Sequence, residues 1–146
     1  MTAADRDSVI DFFASMGEKS ASFFNVGHGN EKRVLGGIDG TVTGHRFFVA
    51  ENDNRLIGIM FLWDIKKTVP WFGIAVRDSV QGQGVGTVMM NYLRSFAMSN
   101  GYAGVLLRTA QSNLAAQHLY EKSGFEKLGV HHSGEFLYML RFEREI

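Results

Sequence analysis

Apolar residues recur along this chain at two spacings, and the spacings predict the order of its helices and strands. Residues 5–16 carry apolar side chains three and four positions apart, which predicts a helix. Glycines interrupt residues 17–45, so we expect only a short helix and loops there. Residues 46–51 and 56–63 are rich in aromatic and branched side chains, and the Asp53-Asn54 turn between them predicts an antiparallel hairpin.

The middle of the chain alternates between strand and helix. Residues 71–76 predict a third strand. The helix after it is the best defined, and its apolar face is predicted from Val85, Val88, Met89, Tyr92, Leu93 and Phe96. Gly101 suits the left-handed position that ends such a helix, and the apolar run at 105–107 predicts a buried strand.

The last third of the chain continues in the same way. Ser112 or Asn113 is expected to cap a further helix, which Gly124 stops. Residues 125–130 and 136–142 predict two short strands on either side of a polar turn.

This order of elements predicts a single α/β (or α+β) domain over residues 1–146. A length of 146 residues suits one domain with a sizeable core. The strand–helix–strand unit around residues 71–109 implies a right-handed parallel crossover. We therefore expect a mixed, mostly antiparallel sheet that contains one parallel pair of strands.

A glycine-rich loop, Gln81-Gly82-Gln83-Gly84-Val85-Gly86, lies between the third strand and the best-defined helix. Its glycines leave the backbone unshielded, and the helix that follows points amides without internal partners back at the loop, which is typical of a phosphate or pyrophosphate site. A dinucleotide fingerprint does not fit, because Thr87 and Met89 stand where its third glycine belongs. No lysine precedes Thr87, so a nucleoside-triphosphate loop fails too. A tight turn without a ligand is the remaining alternative.

Composition narrows the function classes. The chain has 15 basic and 15 acidic residues, so no basic excess points to nucleic acid. It has no cysteine, which excludes disulfides, a thiolate nucleophile and a thiolate metal site. His131-His132 lacks partners at ligand spacing, so no metal is expected. No apolar run approaches membrane-spanning length and residues 1–5 are not typical of a signal peptide, so we expect a cytoplasmic protein without a membrane partner.

A second motif follows the next predicted strand, where residues 113–125 read Asn-Leu-Ala-Ala-Gln-His-Leu-Tyr-Glu-Lys-Ser-Gly-Phe. Together with Gln81-x-x-Gly84-x-Gly86, this segment resembles the GNAT superfamily of N-acetyltransferases. The first motif is similar to the Arg/Gln-x-x-Gly-x-Gly/Ala signature of that family, and the second to its Asn-x-x-Ala-x-x-Leu/Phe-Tyr-x-x-x-Gly-Phe segment. The resemblance covers about residues 71–130.

The resemblance implies that acetyl-CoA is the co-substrate and lies where strands 71–76 and 105–109 splay apart. It implies that the loop at 81–86 holds the pyrophosphate, and that the pantetheine arm pairs with the main chain of one splayed strand like an added strand. The cofactor-binding residues that it implies are Ile74, Ala75, Val76, Gln81, Gly82, Gln83, Gly84, Val85, Gly86, Thr87, Asn113, Ala116 and Tyr120.

The chemistry implied by the resemblance is direct attack of an amine on the thioester in a ternary complex. The developing oxyanion needs a donor, which a backbone amide near Val76 would supply. Tyr120 is the catalytic residue expected to donate a hydrogen bond or proton to the leaving thiolate. Outside this motif, Tyr120 would instead be interpreted as an aromatic anchor beside Ala116 and Leu119.

The sequence assigns neither the general base nor the acceptor. Residues 70–76 hold no ionisable side chain where many family members carry a carboxylate. The candidates for the base are Glu51, Asp64, His131, His132 and Glu135, with a water relay or an acceptor of low amine pKa as alternatives. Lys122 or Arg77 are candidates to meet a CoA phosphate, and residues 23–30 are candidates to line the acceptor pocket.

Two classes of function therefore stand. One is an enzyme that acetylates a small-molecule or peptide amine, and the other is a non-catalytic acyl-CoA-binding or regulatory module on the same fold. Only residues 1–4 precede the first predicted helix, too few for the strand with which the family usually begins. The exposed sheet edge expected from this would favour a homodimer.

Overall fold

The computed structural model describes residues 6–17, 30–40 and 43–142. Its helices and strands, which we number in chain order, are α1 (Arg6–Ala14), α2 (Asn30–Asp39), β1 (His45–Asn52), β2 (Arg55–Trp63), β3 (Trp71–Val76), α3 (Val85–Ser99), β4 (Gly104–Thr109), α4 (Leu114–Lys122), β5 (Glu126–Val130) and β6 (Phe136–Arg141). A short 3₁₀ helix at Asp78–Val80 leads from β3 into the glycine loop.

The strands form one mixed sheet, in the order β1-β2-β3-β4-β6-β5 within the described residues. Every neighbouring pair is antiparallel except β3 and β4, which confirms the predicted fold. The β1–β2 hairpin turns at Asp53 and Asn54, which both have positive φ, as a tight two-residue hairpin turn requires. β1 forms one edge of the described sheet, and residues 1–5 lie outside the described part.

The parallel pair of strands separates almost as soon as it forms. β3 and β4 are in register at Trp71 and Leu106 alone, where the Leu106 amide donates to the Pro70 carbonyl at 3.0 Å. Beyond this point each strand pairs along its whole length with its other neighbour, β3 with β2 and β4 with β6. A wedge-shaped gap therefore opens between the carboxyl-terminal halves of β3 and β4.

The sheet separates two hydrophobic layers. On one face, α3 and α4 pack on residues such as Phe72 and Leu107. On the other face, α1 packs on residues such as Phe61 and Ala75. The two layers thus cover both faces of the sheet. The groups that line the two sides of the gap belong to the backbone of β3 and β4.

The predicted apolar face of α3 is wrong at two positions. Val88 is 69% exposed and Tyr92 is 55% exposed, whereas Met90 and Ala97 are buried. The buried stripe is thus rotated around the helix, because α3 lies across the sheet so that residues 89, 90, 93 and 97 meet it. Val88 and Tyr92 instead border a groove of about 780 Å³ beside β1.

Arg77 ties α1 to the end of β3. Its guanidinium is buried, donates from Nε to the Leu56 carbonyl at 2.8 Å and from Nη2 to Asp11 at 3.0 Å, and lies over the ring of Phe12. Asp78 next to it accepts a hydrogen bond from the Gly17 amide at 2.7 Å. The Arg77 side chain therefore stabilises the fold. Its buried position does not support the prediction that it binds a CoA phosphate.

Replacing Arg77 with methionine should lower the free energy of unfolding by about 2 kcal/mol, because the buried Leu56 carbonyl loses its donor. Asp11→Asn is the matched control. The Asp11 side chain is 65% exposed, and asparagine keeps an acceptor oxygen, so the loss there should stay below about 1 kcal/mol. Urea unfolding followed by circular dichroism measures both, and equal losses would contradict the role given to Arg77.

Candidate functional site

The glycine loop presents bare backbone to the surroundings. Gly82 and Gly84 have φ of 81° and 84°, a left-handed conformation that glycine adopts without strain. A Cβ atom at either position would meet nothing within 4 Å, so the space in front of the loop is open. The loop therefore leaves room for a group that approaches its main chain closely.

The first turn of α3 supplies the donors. Gly84 caps this helix without a side-chain hydrogen bond, and the first amide with a backbone acceptor is that of Val88, which donates to Gly84. Within the described residues, the amides of Val85, Gly86 and Thr87 have no acceptor. Together with the positive end of the helix dipole, they form a site suited to phosphate oxygens.

The edge of β3 supplies a second set of donors. The Arg77 amide donates to the Ile57 carbonyl at 2.8 Å, so this residue pair forms a hydrogen-bonded rung of the antiparallel ladder. Because rungs alternate, the main chain of Ala75 also faces β2, while the amides of Ile74 and Val76 face the gap. An extended ligand arm can thus pair with Ile74 and Val76 but not with the main chain of Ala75, which corrects one of the implied contacts.

Gln81 positions the loop on the end of β3. Its side-chain amide donates to the Val76 carbonyl at 3.1 Å and to Asp78 at 3.3 Å. The Val76 carbonyl is thereby occupied, and the Val76 amide is left for a ligand. Gln83 lies in the same turn, with its amide bonded to Val80.

The two sequence motifs meet where α3 approaches α4. A Cβ atom on Gly86 would lie 3.0 Å from Leu119, so the two helices pack more closely than a side chain at position 86 would allow. Asn113 caps α4 as predicted, because its Oδ1 accepts from the Ala116 amide at 3.2 Å. Its side-chain nitrogen has no partner among the described residues.

Sequence reasoning missed Gln117, a buried polar residue of α4. Its side-chain amide donates to the carbonyls of Ala110 and Gln111, at 3.2 and 2.9 Å. These bonds fix the loop that carries the chain from β4 to Asn113. Glutamine is ordinarily exposed on helices, so the sequence carried no signal for this role.

Tyr120 lies in the hydrophobic layer that also holds Phe72 and Leu107, the residues of β3 and β4 beside the gap. Its ring contacts Phe125 and Tyr138. Burial raises the pKa of its phenol well above the ordinary value, and Tyr138 adds to the shift. The Tyr120 hydroxyl makes no hydrogen bond within the part of the chain described, so it is a protonated donor without an acceptor.

The opposite face of the sheet holds a cluster of charged and polar groups at the narrow end of the gap. Arg108 lies over the ring of Trp71 at 5.5 Å, and His131 and Glu135 lie beside it. His132 stacks on His131 with ring centroids 4.0 Å apart. Three of the candidate bases, His131, His132 and Glu135, therefore lie together beside Arg108.

The other two candidate bases lie elsewhere. Glu51 is the penultimate residue of β1, two strands away from β3 in the sheet order. Asp64 lies in a turn and pairs with Lys67 at 3.4 Å. Lys122 is exposed in the last turn of α4. The acceptor-pocket candidates at 23–29 lie outside the described residues.

The described residues contain neither a cluster of metal-ligating side chains nor a membrane-spanning helix. Over residues 6–17, 30–40 and 43–142, no group of three or more histidine, cysteine, aspartate or glutamate side chains is arranged to hold a metal ion. In the same ranges, no helix combines the length and apolarity needed to span a bilayer.

Residues 43–127 match the family model of the acetyltransferase (GNAT) domain, which covers more than half of the chain. The chain belongs to the GNAT family. The match includes both motifs and the first five strands in sequence order, apart from the end of β5.

Curated relatives of this GNAT chain are N-acetyltransferases. Over 89 residues it is 32% identical to N-acetyltransferase 8F1 of Rattus norvegicus, an overlap of 57% of this chain and 40% of the relative. It is 29% identical over 92 residues to human N-acetyltransferase 8B, with 59% and 40% covered. N-acetylaspartate synthetase of Danio rerio is 32% identical over 89 residues, with 60% and 32% covered. The chain thus spans two fifths or less of the length of these relatives.

Solved structures with the same fold cover nearly the whole chain. The PaiA N-acetyltransferase of Thermoplasma acidophilum, in complex with coenzyme A, has a TM-score of 0.79 at 14% identity, with 97% of this chain and 96% of that chain covered. The GNAT domain of S. lividans PAT has a TM-score of 0.82 at 12% identity, with 97% and 88% covered. At these identities the likeness shows the fold alone.

Replacing Gly84 with alanine should weaken CoA binding by about 10-fold or more, because the methyl group stands in the space from which a phosphate approaches the free amides. Gly101→Ala is the matched control, since Gly101 also has positive φ, 76°, and open space around its Cβ position. Both variants should lose about 1 kcal/mol of stability from backbone strain. Calorimetric titration with CoA separates them, and a similar loss of affinity in both would refute the assignment.

Alkaline pH should destabilise the protein through its buried tyrosines. Burial and the hydrogen bond to Glu121 raise the pKa of Tyr138 to about 12, and the pKa of Tyr120 is raised as well. Above the ordinary phenol pKa of about 10, the unfolded chain releases protons that the folded chain keeps, so the free energy of unfolding should be constant at neutral pH and fall above about pH 10. Urea titrations at several pH values test this, and Tyr138→Phe should make the fall shallower.

Proposed function

We propose that this chain transfers the acetyl group of acetyl-CoA to an amine, by direct attack within a ternary complex. The observation that carries the proposal is the presence of two sets of unpartnered backbone amides, one at Ile74 and Val76 on β3 and one in the first turn of α3. The first set faces a gap between parallel strands, and the second adjoins a loop with open space in front of Gly82 and Gly84. Such an arrangement fits an extended arm that ends in a pyrophosphate.

The residues present fit coenzyme A at both sets of amides. Loop residues 82–84 and the amides of Val85, Gly86 and Thr87 would hold the pyrophosphate, and Ile74 and Val76 would pair with the pantetheine arm. Asn113 would donate its free side-chain amide to the arm, and Ala116 contributes its amide to the cap that holds Asn113 in place. When bound, acetyl-CoA supplies an activated acetyl thioester. Solved GNAT proteins with coenzyme A bound have the same fold.

Tyr120 is the proposed donor to the departing sulfur. Its raised pKa keeps the phenol protonated across the physiological range, and its hydroxyl has no competing partner in the described residues. A thiol has an ordinary pKa near 8.5, so a donated hydrogen bond is sufficient without full proton transfer. Whichever of the backbone amides of Val76 and Ile74 the arm leaves free would stabilise the oxyanion.

The attacking amine must lose a proton, and the cluster at Arg108, His131 and Glu135 lies on the face opposite Tyr120. A base on that face would receive the proton on the acceptor side while Tyr120 serves the leaving side. Similar proteins take different amines, since one relative is named for N-acetylaspartate and one neighbour, AAC(6′)-Ib, is an aminoglycoside acetyltransferase bound to kanamycin.

Further parts of the proposal rest on the sequence. They are a single domain over residues 1–146, a cytoplasmic location, a small-molecule or peptide acceptor, a possible homodimer through the edge of β1, and no role for metal, nucleic acid or membrane. Composition and the predicted edge strand support them.

Tyr120→Phe should lower kcat by about 100-fold while CoA affinity changes less than about 2-fold, because only the hydroxyl is removed from a ring that keeps its packing. Tyr138→Phe is the matched control. It removes a hydroxyl from the neighbouring ring, whose partner is Glu121 at 3.2 Å, and should leave kcat nearly unchanged. Release of free CoA thiol from acetyl-CoA with a panel of amines gives kcat, and titration calorimetry gives the affinity.

Two outcomes would overturn parts of this proposal. Unchanged turnover in Tyr120→Phe would remove the catalytic role of the hydroxyl. Tight CoA binding without thiol release on polyamines, amino sugars, amino acids and peptide N-termini would favour the alternative, a non-catalytic acyl-CoA-binding module.

A further inference from the structure

The reacting end of the cleft can be located from the direction of β3. The phosphate-binding amides lie beyond Val76, at the carboxyl end of the strand, and a strand rises about 3.3 Å per residue. Five residues from Val76 back to Trp71 therefore span about 16 Å. An arm that leaves the loop and pairs with Val76 and Ile74 runs toward Trp71, where β3 and β4 come together. The thioester would thus lie near the narrow end of the gap.

Side-chain alternation puts Arg108 on the face opposite Tyr120. Leu107 is buried in the same layer as Tyr120, so its neighbour Arg108 points to the other side of the sheet. Trp71 shares that side with Ala75, and the Arg108 guanidinium lies 5.5 Å from the centre of its ring. The guanidinium therefore stands on the acceptor side of the narrow end.

His131 lies against Arg108 through its Nδ1. This nitrogen accepts from the Ser133 amide at 3.2 Å, lies 3.0 Å from the Ser133 hydroxyl and faces Nη1 of Arg108 at 3.5 Å. The Ser133 amide donor on Nδ1 favours the neutral tautomer that carries its proton on Nε2, on the side of the ring away from Arg108. Desolvation, His132 and Arg108 lower the pKa of His131 against the opposing effect of Glu135, so the ring is neutral at pH 7. Nε2 has no partner within the described residues, so His131 is a donor here, not a base.

The positive charge of Arg108 is only loosely compensated. Its Nε lies 3.9 Å from Glu135, at the limit of an ion pair, and both side chains are 37% exposed. The same carboxylate oxygen of Glu135 already accepts from the Ser133 hydroxyl at 3.1 Å. Among the described side chains, Nη2 of Arg108 has no hydrogen-bond partner. A planar guanidinium with free donors matches the two oxygens of a carboxylate.

We infer that Arg108 binds a carboxylate of the acceptor, so that the amine acetylated by this chain belongs to an amino acid. The inference rests on the proposed function and names its substrate class. Glu135 lies beside Arg108, on the side where the ammonium group of a zwitterion would be attracted. An amino acid carries no net charge when zwitterionic, which suits a chain without a charge excess.

The test compares matched acceptors in the thiol-release assay. L-Phenylalanine, L-leucine and L-aspartate are each paired with the corresponding α-amide. The amides have the lower amine pKa, so intrinsic reactivity favours them, and a preference for the acids must come from the protein. We expect kcat/KM to be about 10- to 100-fold higher for at least one acid than for its amide.

Arg108→Gln should bring the ratio of acid to amide close to 1, because kcat/KM falls more on the acid than on the amide, while CoA affinity changes little. Arg141→Gln is the matched control, because Arg141 also belongs to an exposed pair, with Glu126 at 2.9 Å, and lies on β6. It should keep the wild-type ratio. Equal kcat/KM for acids and amides, or equal loss on both in Arg108→Gln, would overturn the inference.

A binding measurement separates this inference from the proposed function. N-acetyl-L-phenylalanine and its amide are titrated into protein saturated with CoA, which needs no turnover. If the amide binds more weakly than the acid, and this difference in affinity is lost in Arg108→Gln, the carboxylate site is supported. If in addition no amine releases thiol, the proposed function fails but the carboxylate site stands. Equal binding of the two compounds overturns the carboxylate site whether or not the protein is active.

Discussion

The site depends on a hydrogen-bond ladder that stops after one rung. β3 and β4 are held together at Trp71 and Leu106 and then diverge, because each is fully paired with its other neighbour. Backbone N–H groups that are shielded from water and lack a partner destabilise a protein, and Ile74 and Val76 are half-buried, so a hydrogen bond to their amides would be stabilising. A ligand with amide groups of its own can form that bond.

The gap stays open because the layers on its two sides hold the strands independently. Arg77 links the end of β3 to α1 and β2, while Gln117 and Asn113 fix the connection from β4 to α4. The Gly86 contact with Leu119 then brings the phosphate-binding turn against the helix that carries Tyr120. The proposed phosphate-binding turn and the proposed leaving-group donor therefore lie on helices in direct contact, and the charged cluster at Arg108 lies on the other face.

Much of this arrangement was predictable because it follows from local patterns. The glycine loop, the Asn113 cap, the hairpin turn and every described strand have signatures within a few neighbouring residues. Val88 and Tyr92 were misplaced, because periodicity gives the width of an apolar stripe but not its rotation against the sheet. The roles of Arg77 and Gln117 could not be predicted, because each depends on hydrogen bonds that form only when the chain is folded and the side chain is buried. The meeting of Arg108 with the His131 turn depends on the β4–β6 register, which no local pattern encodes.

The alternation of β3 has a consequence for how this sequence can vary. The ligand-facing groups of Ile74 and Val76 belong to the main chain, while their side chains point into the layer beneath α3 and α4. Any apolar side chain that fills that layer leaves the cleft intact, so the identity of these residues carries little information about the ligand. Proline is the exception, because it has no N–H to offer. At these two positions the proposed site therefore requires only that the residue has a backbone N–H.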